Sequence, residues 1–574
     1  VGEVFVVSGA FQPARVVRGF ALIAAQLPNW RMEFVDVGKQ AGRIRAVARK
    51  TGVLDRVAVR DSAPREGQLN GPGGPTQRPG RGNSTLRAGV FGWPVEAIAS
   101  ELLSLAAAGG PVSLVLVEAP GVVTVEIATA RPAAETTPAM ARAELLQRAL
   151  AAADSAVAFV VPARGDAPPI VVVPAESGAP VLFQFGVADA AGVLLTPPRA
   201  ADSPDHLSAG ADVRLELWPR GLDGTLLAPS VNHVTRKVPT GERLVDSVVS
   251  GLPVETLPLL ATPAPDASRF EIDVVYTWVD GEDPEWLARR APRLGVTSDE
   301  RSAGEARYRS RDELRYSMRS VHLFAPWVRR IHLVTDQQVP SWLAADERVN
   351  VVDHRDILDE SVLPTFNSHA IETALHRIEG LSEHFVYFND DVLLGRPVTP
   401  DLFFSPGGLP AAYVSHLTLD LEGSDDRPYA MAAFHNRRLL LERFGVAITH
   451  TMRHTPHPHR RSTLELIEAE FPDAIARTAA APFRATTDVS LLSSLAQHYG
   501  LLSGLAVVGD AVDEFVDLSE ANVKPRLAAL RARDFDFLCL GDHHAYALPI
   551  ERVDEMLADF LTAYYPVRAP WERA

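Results

Sequence analysis

The run Asn389-Asp390-Asp391 follows the aromatic and β-branched stretch Phe385–Phe388. Adjacent carboxylates at a strand end can share a Mg²⁺ or Mn²⁺ ion with phosphate oxygens, because hard cations prefer oxygen ligands. Asn-Asp is equally good turn chemistry, so the residues alone leave both readings open. Arg307, Arg311, Arg315 and Arg319 recur every four residues. On a helix they form a basic stripe, suited either to a diphosphate or anionic acceptor, or to a solvated face with Glu305, Asp312 and Glu313 as partners. His450, His454, His457 and His459 crowd into Thr449–Arg461. Prolines and missing cysteines fit no common structural zinc spacing, and a single His acting as general base or phosphate contact suits the run better. Arg484 lies just before Thr487-Asp488, read as a helix start. Asp488 there complements a helix dipole, or the guanidinium grips a phosphate. His543 and His544 read as surface residues.

Several of these groups fall at the ends of expected elements. Phe270–Thr277 is a predicted strand that runs into Trp278-Val279-Asp280-Gly281. Arg330–Thr335 and Val349–Asp353 are predicted strands, closing on Asp336 and Asp353. Helices are predicted over Arg311–Leu323 and over Ser368–Ile378, the latter with Asn367 or Ser368 as N-cap. This β–loop–α alternation predicts a largely parallel sheet between helices, with ligands beyond the carboxyl ends of its strands. Further on, Thr463–Glu470 and Asp488–Tyr499 have helical spacing, with Gly500 as a C′ residue. Phe535–Leu540 reads as a strand and Val553–Ala563 as a closing helix.

The first part of the chain alternates β-type runs (Glu3–Val7, Ser113–Glu118, Ala156–Pro162, Pro169–Pro174, Val181–Phe185, Val213–Trp218) with helical stretches at Pro94–Ala108 and Ala141–Ala153. Pro64–Asn83 is too poor in apolar residues to order itself and is expected to be a mobile loop. The Pro-rich Leu257–Ala267 reads as a linker. The domains expected are therefore 1–256, a linker over 257–269, and 270–574.

With 574 residues, more than one domain is required. A formal net charge of −16 argues against a nucleic-acid partner held by phosphate contacts. The single cysteine, Cys539, allows no intrachain disulfide and reads as a buried structural thiol. No run approaches the ~18 apolar residues of a spanning helix. Val1–Ala10 lacks the basic flank of a signal peptide, so a cytoplasmic location is expected.

The chain resembles the Stealth family of bacterial capsular-polysaccharide sugar-phosphate transferases, to which the catalytic chain of the animal GlcNAc-1-phosphotransferase is related. The resemblance runs through four ordered segments. They are IDVVYTWVDGEDP at Ile272–Pro284; Arg307 to about Pro406, with RYRSRDELRYSMRS, LPTFNSHAIE and YFNDDVLLGRPV; His454-Thr455-Pro456-His457 on to Phe483-Arg484 and Thr487-Asp488; and Lys524 through Cys539-Leu540 and beyond. The family commonly reads Cys-Leu-Asn-Asp where this chain has Cys539-Leu540-Gly541-Asp542, which puts a role for Asp542 in question.

The resemblance implies an α/β, Rossmann-like catalytic fold of the GT-A-related nucleotide-sugar transferases, beside a separate N-terminal α/β region. It implies a UDP-sugar donor, with UDP-GlcNAc as first choice, a glycan acceptor and Mg²⁺ or Mn²⁺. Its catalytic positions fall on Glu372, Asp391, His457 and Arg484, with Asp390 and Asp391 for the metal. Thr277, Trp278, Asp280, Asn367 and Asp488 fall to substrate, and Arg311 to phosphate. His457 is the first choice of general base, with Glu372 sharing or replacing it, because an unperturbed imidazole pKa of ~6.5 suits the task. The expected reaction is transfer of a sugar 1-phosphate with release of UMP. Alternatives are a metal-dependent glycosyltransferase releasing UDP, or an inactive glycan-binding protein. The N-terminal part is left as a glycan binder, a peripheral anchor to a membrane polysaccharide assembly, or a brace.

Overall fold

The computed structural model describes 3–8, 30–35, 57–60, 85–88, 112–115, 122–127, 136–152, 159–163, 168–175, 192–196, 212–228, 232, 234–263, 267–294, 308–421, 427–542 and 546–573. The expectations for Pro64–Asn83, Pro94–Ala108, Val181–Phe185, Glu305, Arg307, His543 and His544 lie outside the described residues. The chain divides into two compact units, Val1–Ala264 and Pro265–Ala574.

In the first unit, four strands pair in parallel in the order Val57–Arg60, Trp30–Val35, Glu3–Ser8, Thr85–Ala88. A second, mixed sheet of six strands runs from Val112–Val115 through Val122–Ile127, Gly192–Thr196, Val213–Pro219 and Ile170–Ala175 to Phe159–Val161. The helix Pro138–Ala152 buries Ala141, Leu145 and Ala149, a spacing that puts them on one face.

The second unit contains strands β1 (Ile272–Thr277), β2 (Ile331–Thr335), β3 (Val349–Asp353), β4 (His384–Phe388), β5 (Val392–Leu394), β6 (His457–Arg460), β7 (Asp513–Asp517) and β8 (Phe537–Gly541). Its main helices are α1 (Pro284–Leu294), α2 (Glu313–Phe324), α3 (Ser368–Glu372), α4 (Pro428–Phe444), α5 (Arg461–Glu470), α6 (Ala496–Ser503) and α7 (Ile550–Tyr564). The central sheet has the order β3-β2-β1-β4-β6; β1 to β4 are parallel and β6 is antiparallel. The chain thus steps outward from β1 to β2 and β3, then returns to lay β4 on the other side of β1. That reversal opens a crevice between the carboxyl ends of β1 and β4, where ligands of open α/β sheets bind. A smaller sheet, β5-β8-β7, adjoins it.

β1 and β4 are apolar on both faces because both faces are covered. Val275, Phe385 and Tyr387 pack toward α4, α5 and α6, while Val274, Tyr276, Val386 and Phe388 pack toward α2 and α7. No helix among the described residues is long and apolar enough to cross a membrane.

Three local expectations are corrected. The helix expected over Ser368–Ile378 ends at Glu372, and a separate 3₁₀ turn covers Leu375–Arg377. Thr373, a poor helix former, turns its hydroxyl back onto the Ala370 carbonyl at 2.6 Å. Residues Asp488–Ser490 are not helical; Leu491–Leu495 instead form a π-helical turn, with Leu495 N bonded to Ser490 O at 2.8 Å. Gly500 lies inside α6 and the left-handed C′ residue is Gly504. A Cβ on Gly500 would stand 2.7 Å from that of Ala506, so this glycine permits close approach and does not cap.

Of the partners expected for the basic stripe, Glu313 pairs with Arg311 at 3.5 Å, while Arg315 and Arg319 find partners far along the chain. Arg315 and Arg319 share Glu572, at 2.7 and 2.6 Å, which ties α2 to the C-terminal segment. At the opposite end of β1 lies a second buried knot. Asp273 accepts from Arg329 Nε and Nη2 (2.8 and 2.6 Å), His332 Nε2 (3.2 Å) and the Ser382 amide (2.8 Å). Burial alone would raise its pKa, but the bonds from His332, Arg329 and Ser382 outweigh that and hold it at about 2. Removing one member of such a knot leaves the others uncompensated. Asp273→Ala is expected to cost about 3–5 kcal/mol at neutral pH by denaturant unfolding. Because the folded pKa lies below the unfolded one, the wild-type advantage should shrink as pH falls from about 4 toward 2.

Candidate active site

The acidic edge is built by the turn from β4 into β5. Asp390 and Asp391 are half-buried there, and their neighbours carry more negative charge. Burial, then Asp391, pushes the Asp390 carboxyl up; burial, then Glu313, does the same to Asp391. Glu313, at the start of α2, is pushed up to about 7 by burial and by Asp390. Cys539 on β8 donates its thiol hydrogen toward Asp391 Oδ2 at 3.6 Å. As expected, this cysteine is buried. A Cβ on Gly541 would lie 3.3 Å from the same Asp391 oxygen, so glycine keeps that flank of the carboxylate open.

Arg311 stands over this edge but is held by carboxylates. It bonds Asp554 Oδ1 at 2.7 Å and Asp542 Oδ2 at 3.0 Å, and Tyr546 joins both Arg311 and Asp542. Asp542 therefore has a definite place: it ties Arg311 to β8 and adds negative charge beside Asp390 and Asp391. A phosphate reaching Arg311 would share it with these partners.

Across the crevice, Glu372 ends α3 and is buried. Its Oε2 accepts the Leu492 amide hydrogen at 3.1 Å, from within the π turn. Burial raises its pKa to about 7, against the pull of that amide and of Arg484. Arg484 donates Nε and Nη2 to the Ser368 hydroxyl, at 3.2 and 2.7 Å, and makes no ion pair within 4 Å among the described residues. Burial lowers its proton affinity and Glu372 restores part of it.

Asn367 and Asp488 set this corner. Asn367 caps α3 by accepting from His369 N at 3.1 Å, and its amide donates to Asp488 Oδ2 at 2.9 Å. Asp488 Oδ2 also accepts the Ala485 amide at 2.9 Å, which fixes the turn carrying Arg484. Both side chains are fully buried. Their visible work is to hold α3 against that turn. Behind them Trp286, Phe366 and Phe483 form an apolar cluster that packs against Tyr308.

His457 opens β6 opposite Tyr387 of β4. Its Nδ1 meets Gln497 Nε2 at 3.0 Å, and burial, with His459 and His454 nearby, pushes its pKa down to about 3. His450, His454, His457 and His459 do not converge: no group of three or more His, Cys, Asp or Glu able to hold a metal occurs among the described residues.

At the end of β1, the Thr277 hydroxyl meets the Tyr387 hydroxyl at 3.0 Å. Trp278 packs against the larger core. Asp280 caps its own turn through the Glu282 amide at 2.9 Å, and Gln338 clasps its backbone amide and carbonyl, each at 3.0 Å. Tyr387 is the group sequence reasoning missed. Burial holds its phenol protonated, and it senses Glu372, Arg484 and Asp390 together. It thus marks the point where the two sides of the crevice meet. Gln497 was also missed, and Ser368 was expected only as a helix cap; their bonds to His457 and Arg484 join residues far apart in sequence, which no local pattern signals. Glu313 was expected only as a partner of the basic stripe, yet it also adds charge beside Asp390 and Asp391.

Whether the acidic edge suits a divalent cation is decided by its donors. Asp390 and Asp391 offer hard oxygens, reach open space and repel one another in low dielectric. A cation relieves that repulsion. With two protein carboxylates it would draw its other ligands from water and phosphate, as Mg²⁺ does. The residues fit Mg²⁺ or Mn²⁺.

Four conserved regions of Stealth proteins match this chain: region 1 over 270–295, region 2 over 307–412, region 3 over 453–501 and region 4 over 528–574. An exopolysaccharide phosphotransferase of Streptomyces coelicolor is 46% identical over 376 residues, which is 62% of this chain and 64% of that protein, less than two thirds of its length. An exopolysaccharide phosphotransferase of Nocardia farcinica is 42% identical over 67% of this chain and 78% of its own length. The exopolysaccharide phosphotransferase CpsY of Mycobacterium tuberculosis is 40% identical over 63% of this chain and 69% of its own. All four regions fall in the second unit, and every residue of the crevice described above lies within them or between them: the chain belongs to the Stealth family.

Proposed function

We propose that this chain transfers a hexose or N-acetylhexosamine 1-phosphate from a UDP-sugar, UDP-GlcNAc being the first choice, to a hydroxyl of an acceptor glycan. UMP leaves and a phosphodiester forms, in the building of a cell-surface polysaccharide. One observation carries the reading: Arg484, a cation with no ion pair among the described residues, stands beside a buried Glu372 whose pKa is near 7, across a crevice from two adjacent carboxylates. That set supplies an anion site, a base and a place for a hard cation. The name shared by the relatives, exopolysaccharide phosphotransferase, supports phosphoryl transfer and a glycan acceptor. A GT-A-related fold and a cytoplasmic site, at the inner face of the membrane, accord with a UDP-sugar donor.

In this mechanism Glu372 takes the proton of the acceptor hydroxyl. The oxygen so freed attacks the phosphorus that carries the sugar, and the bond from that phosphorus to the UMP oxygen breaks. The sugar keeps its anomeric C–O bond. Arg484 faces the non-bridging oxygens, where a fixed guanidinium stabilises developing charge without reorganising. Asp390 and Asp391 would hold Mg²⁺ or Mn²⁺, which supplies positive charge to phosphate oxygens when bound. Glu372 is preferred to His457 as base because a pKa near 7 matches the operating pH, whereas one near 3 leaves a weak base.

The direct test is to incubate the protein with UDP-GlcNAc, Mg²⁺ or Mn²⁺ and short glycan acceptors. UMP is expected, and only with acceptor; UDP would replace phosphoryl transfer by glycosyl transfer. Turnover should rise with pH through about 7 as Glu372 loses its proton. Glu372→Gln should lose about 10²–10⁴-fold in kcat. A limb that moves with Mg²⁺ concentration would belong to Asp390 and Asp391 instead, and would remove Glu372 as the base. Arg484→Lys keeps the charge but loses the planar fork, and should lower kcat by about 10²-fold or more.

A further inference from the structure

The contact between His457 and Gln497 determines which ring nitrogen carries the proton. Gln497 is buried on α6. Its Nε2 lies 3.0 Å from His457 Nδ1 and 3.3 Å from the Leu492 carbonyl oxygen. A carbonyl oxygen only accepts, so the amide group facing it must be the NH₂. The reversed amide would set Oε1 against the Leu492 oxygen and leave both N–H groups buried without partners. The observed orientation leaves one atom, Oε1, unpaired, and costs less. With the NH₂ so fixed, His457 Nδ1 has to be the acceptor and Nε2 carries the hydrogen. Nε2 has no protein partner among the described residues, yet it is absent from the buried, unpaired atoms, so it keeps contact with open space.

We propose that Gln497 is a positioning residue that locks His457 as the neutral Nε2–H tautomer, so that His457 meets the donor's phosphate oxygens as a hydrogen-bond donor and not as a base. The assignment of phosphate as its ligand rests on the sugar-phosphate transfer proposed above; the tautomer does not. The surroundings agree. His454 and His459, on the same strand and the turn before it, disfavour charge on His457; Tyr387 faces it from β4 and Gln497 from α6. No carboxylate contacts it among the described residues. A neutral imidazole in such a place polarises an oxygen by donating, as in other enzymes where a proton acceptor is supplied elsewhere.

The tautomer can be read without any turnover. The full chain, labelled with ¹⁵N-histidine, is examined by two-bond ¹H–¹⁵N correlation between about pH 5.5 and 8. His457, assigned as the signal displaced in Gln497→Glu and lost in His457→Gln, should show an unprotonated Nδ1 and a protonated Nε2 throughout. An Nδ1–H tautomer, or an imidazolium forming in this range, would overturn the proposal whatever the enzyme proves to transfer. In Gln497→Glu the new carboxylate accepts in place of donating. It should move the proton to Nδ1 or charge the ring, and turnover should acquire a new pH limb near neutrality. Gln497→Met keeps the volume but removes the donor, and kcat should fall about 10-fold or more with little change in KM. A Gln497→Glu protein that keeps both the wild-type tautomer and the wild-type pH profile would show that Gln497 only packs. If the tautomer is as stated but no UMP forms in the assay, the donor reading fails and the positioning role stands.

Discussion

The backbone of Leu492 joins the two halves of the candidate machinery. Its N–H goes to Glu372 and its carbonyl to Gln497, which in turn holds His457. An ordinary α-helix would spend that carbonyl on an amide four residues on. The π turn widens the spacing, and Leu495 N reaches back to Ser490 O instead. Ser490 O is also held by Asn436 of α4, at 2.9 Å. The irregular turn is therefore secured from outside, as a local departure from regular helix has to be.

Everything around this turn serves to place it. Asn367 and Asp488 bind the start of α3 to the segment that leads into the turn, and the Trp286–Phe366–Phe483 cluster packs behind them. The register of β4 against β6 sets Tyr387 beside His457, and that of β4 against β1 sets it within reach of Thr277. Two regions of unlike charge result. Glu313, Asp390, Asp391 and Asp542 crowd one side, with Arg311 as their cation. Arg484 stands on the other, with the carboxylates of Glu372 and Asp488 near it. A phosphate-bearing substrate lying across the crevice would complete both, since it brings negative charge to Arg484 and oxygen ligands to a cation at the acidic edge.

Much of the frame was legible in the sequence. The strands β1 to β4 fall within two residues of where hydrophobic runs and terminal Asp or Thr residues placed them, because a strand covered on both faces must be apolar throughout. The acidic run at Asp390-Asp391 was found for the same reason: it interrupts such a strand. What was not legible depends on long-range pairing. The π turn lies in a stretch, Asp488–Tyr499, whose apolar spacing suits an ordinary helix, and only Asn436 and Glu372, far away in the chain, show why it departs. Glu313 pairs with Arg311 as its spacing suggested, but the other partners of Arg311, Arg315 and Arg319 come from Asp542, Asp554 and Glu572, more than 200 residues on. Helical spacing suggested neighbours in sequence, and could not suggest these.

The chain uses one device twice, and the contrast separates structure from function. At the amino end of β2, His332 Nδ1 receives the Asn350 amide at 3.0 Å and its Nε2 bonds Asp273 at 3.2 Å, so both ring nitrogens are spent inside a buried knot. At the start of β6, His457 Nδ1 receives the Gln497 amide at the same distance, 3.0 Å, but its Nε2 has no partner among the described residues. An amide fixes the tautomer in each case. In the first, the oriented N–H closes a structural contact at the end of the sheet away from the crevice. In the second, it is oriented and left open, on a strand beside the catalytic candidates. That nitrogen keeps contact with open space, so its hydrogen can be offered to a group from outside the protein. In the proposed reaction, a phosphate oxygen of the donor would be that acceptor.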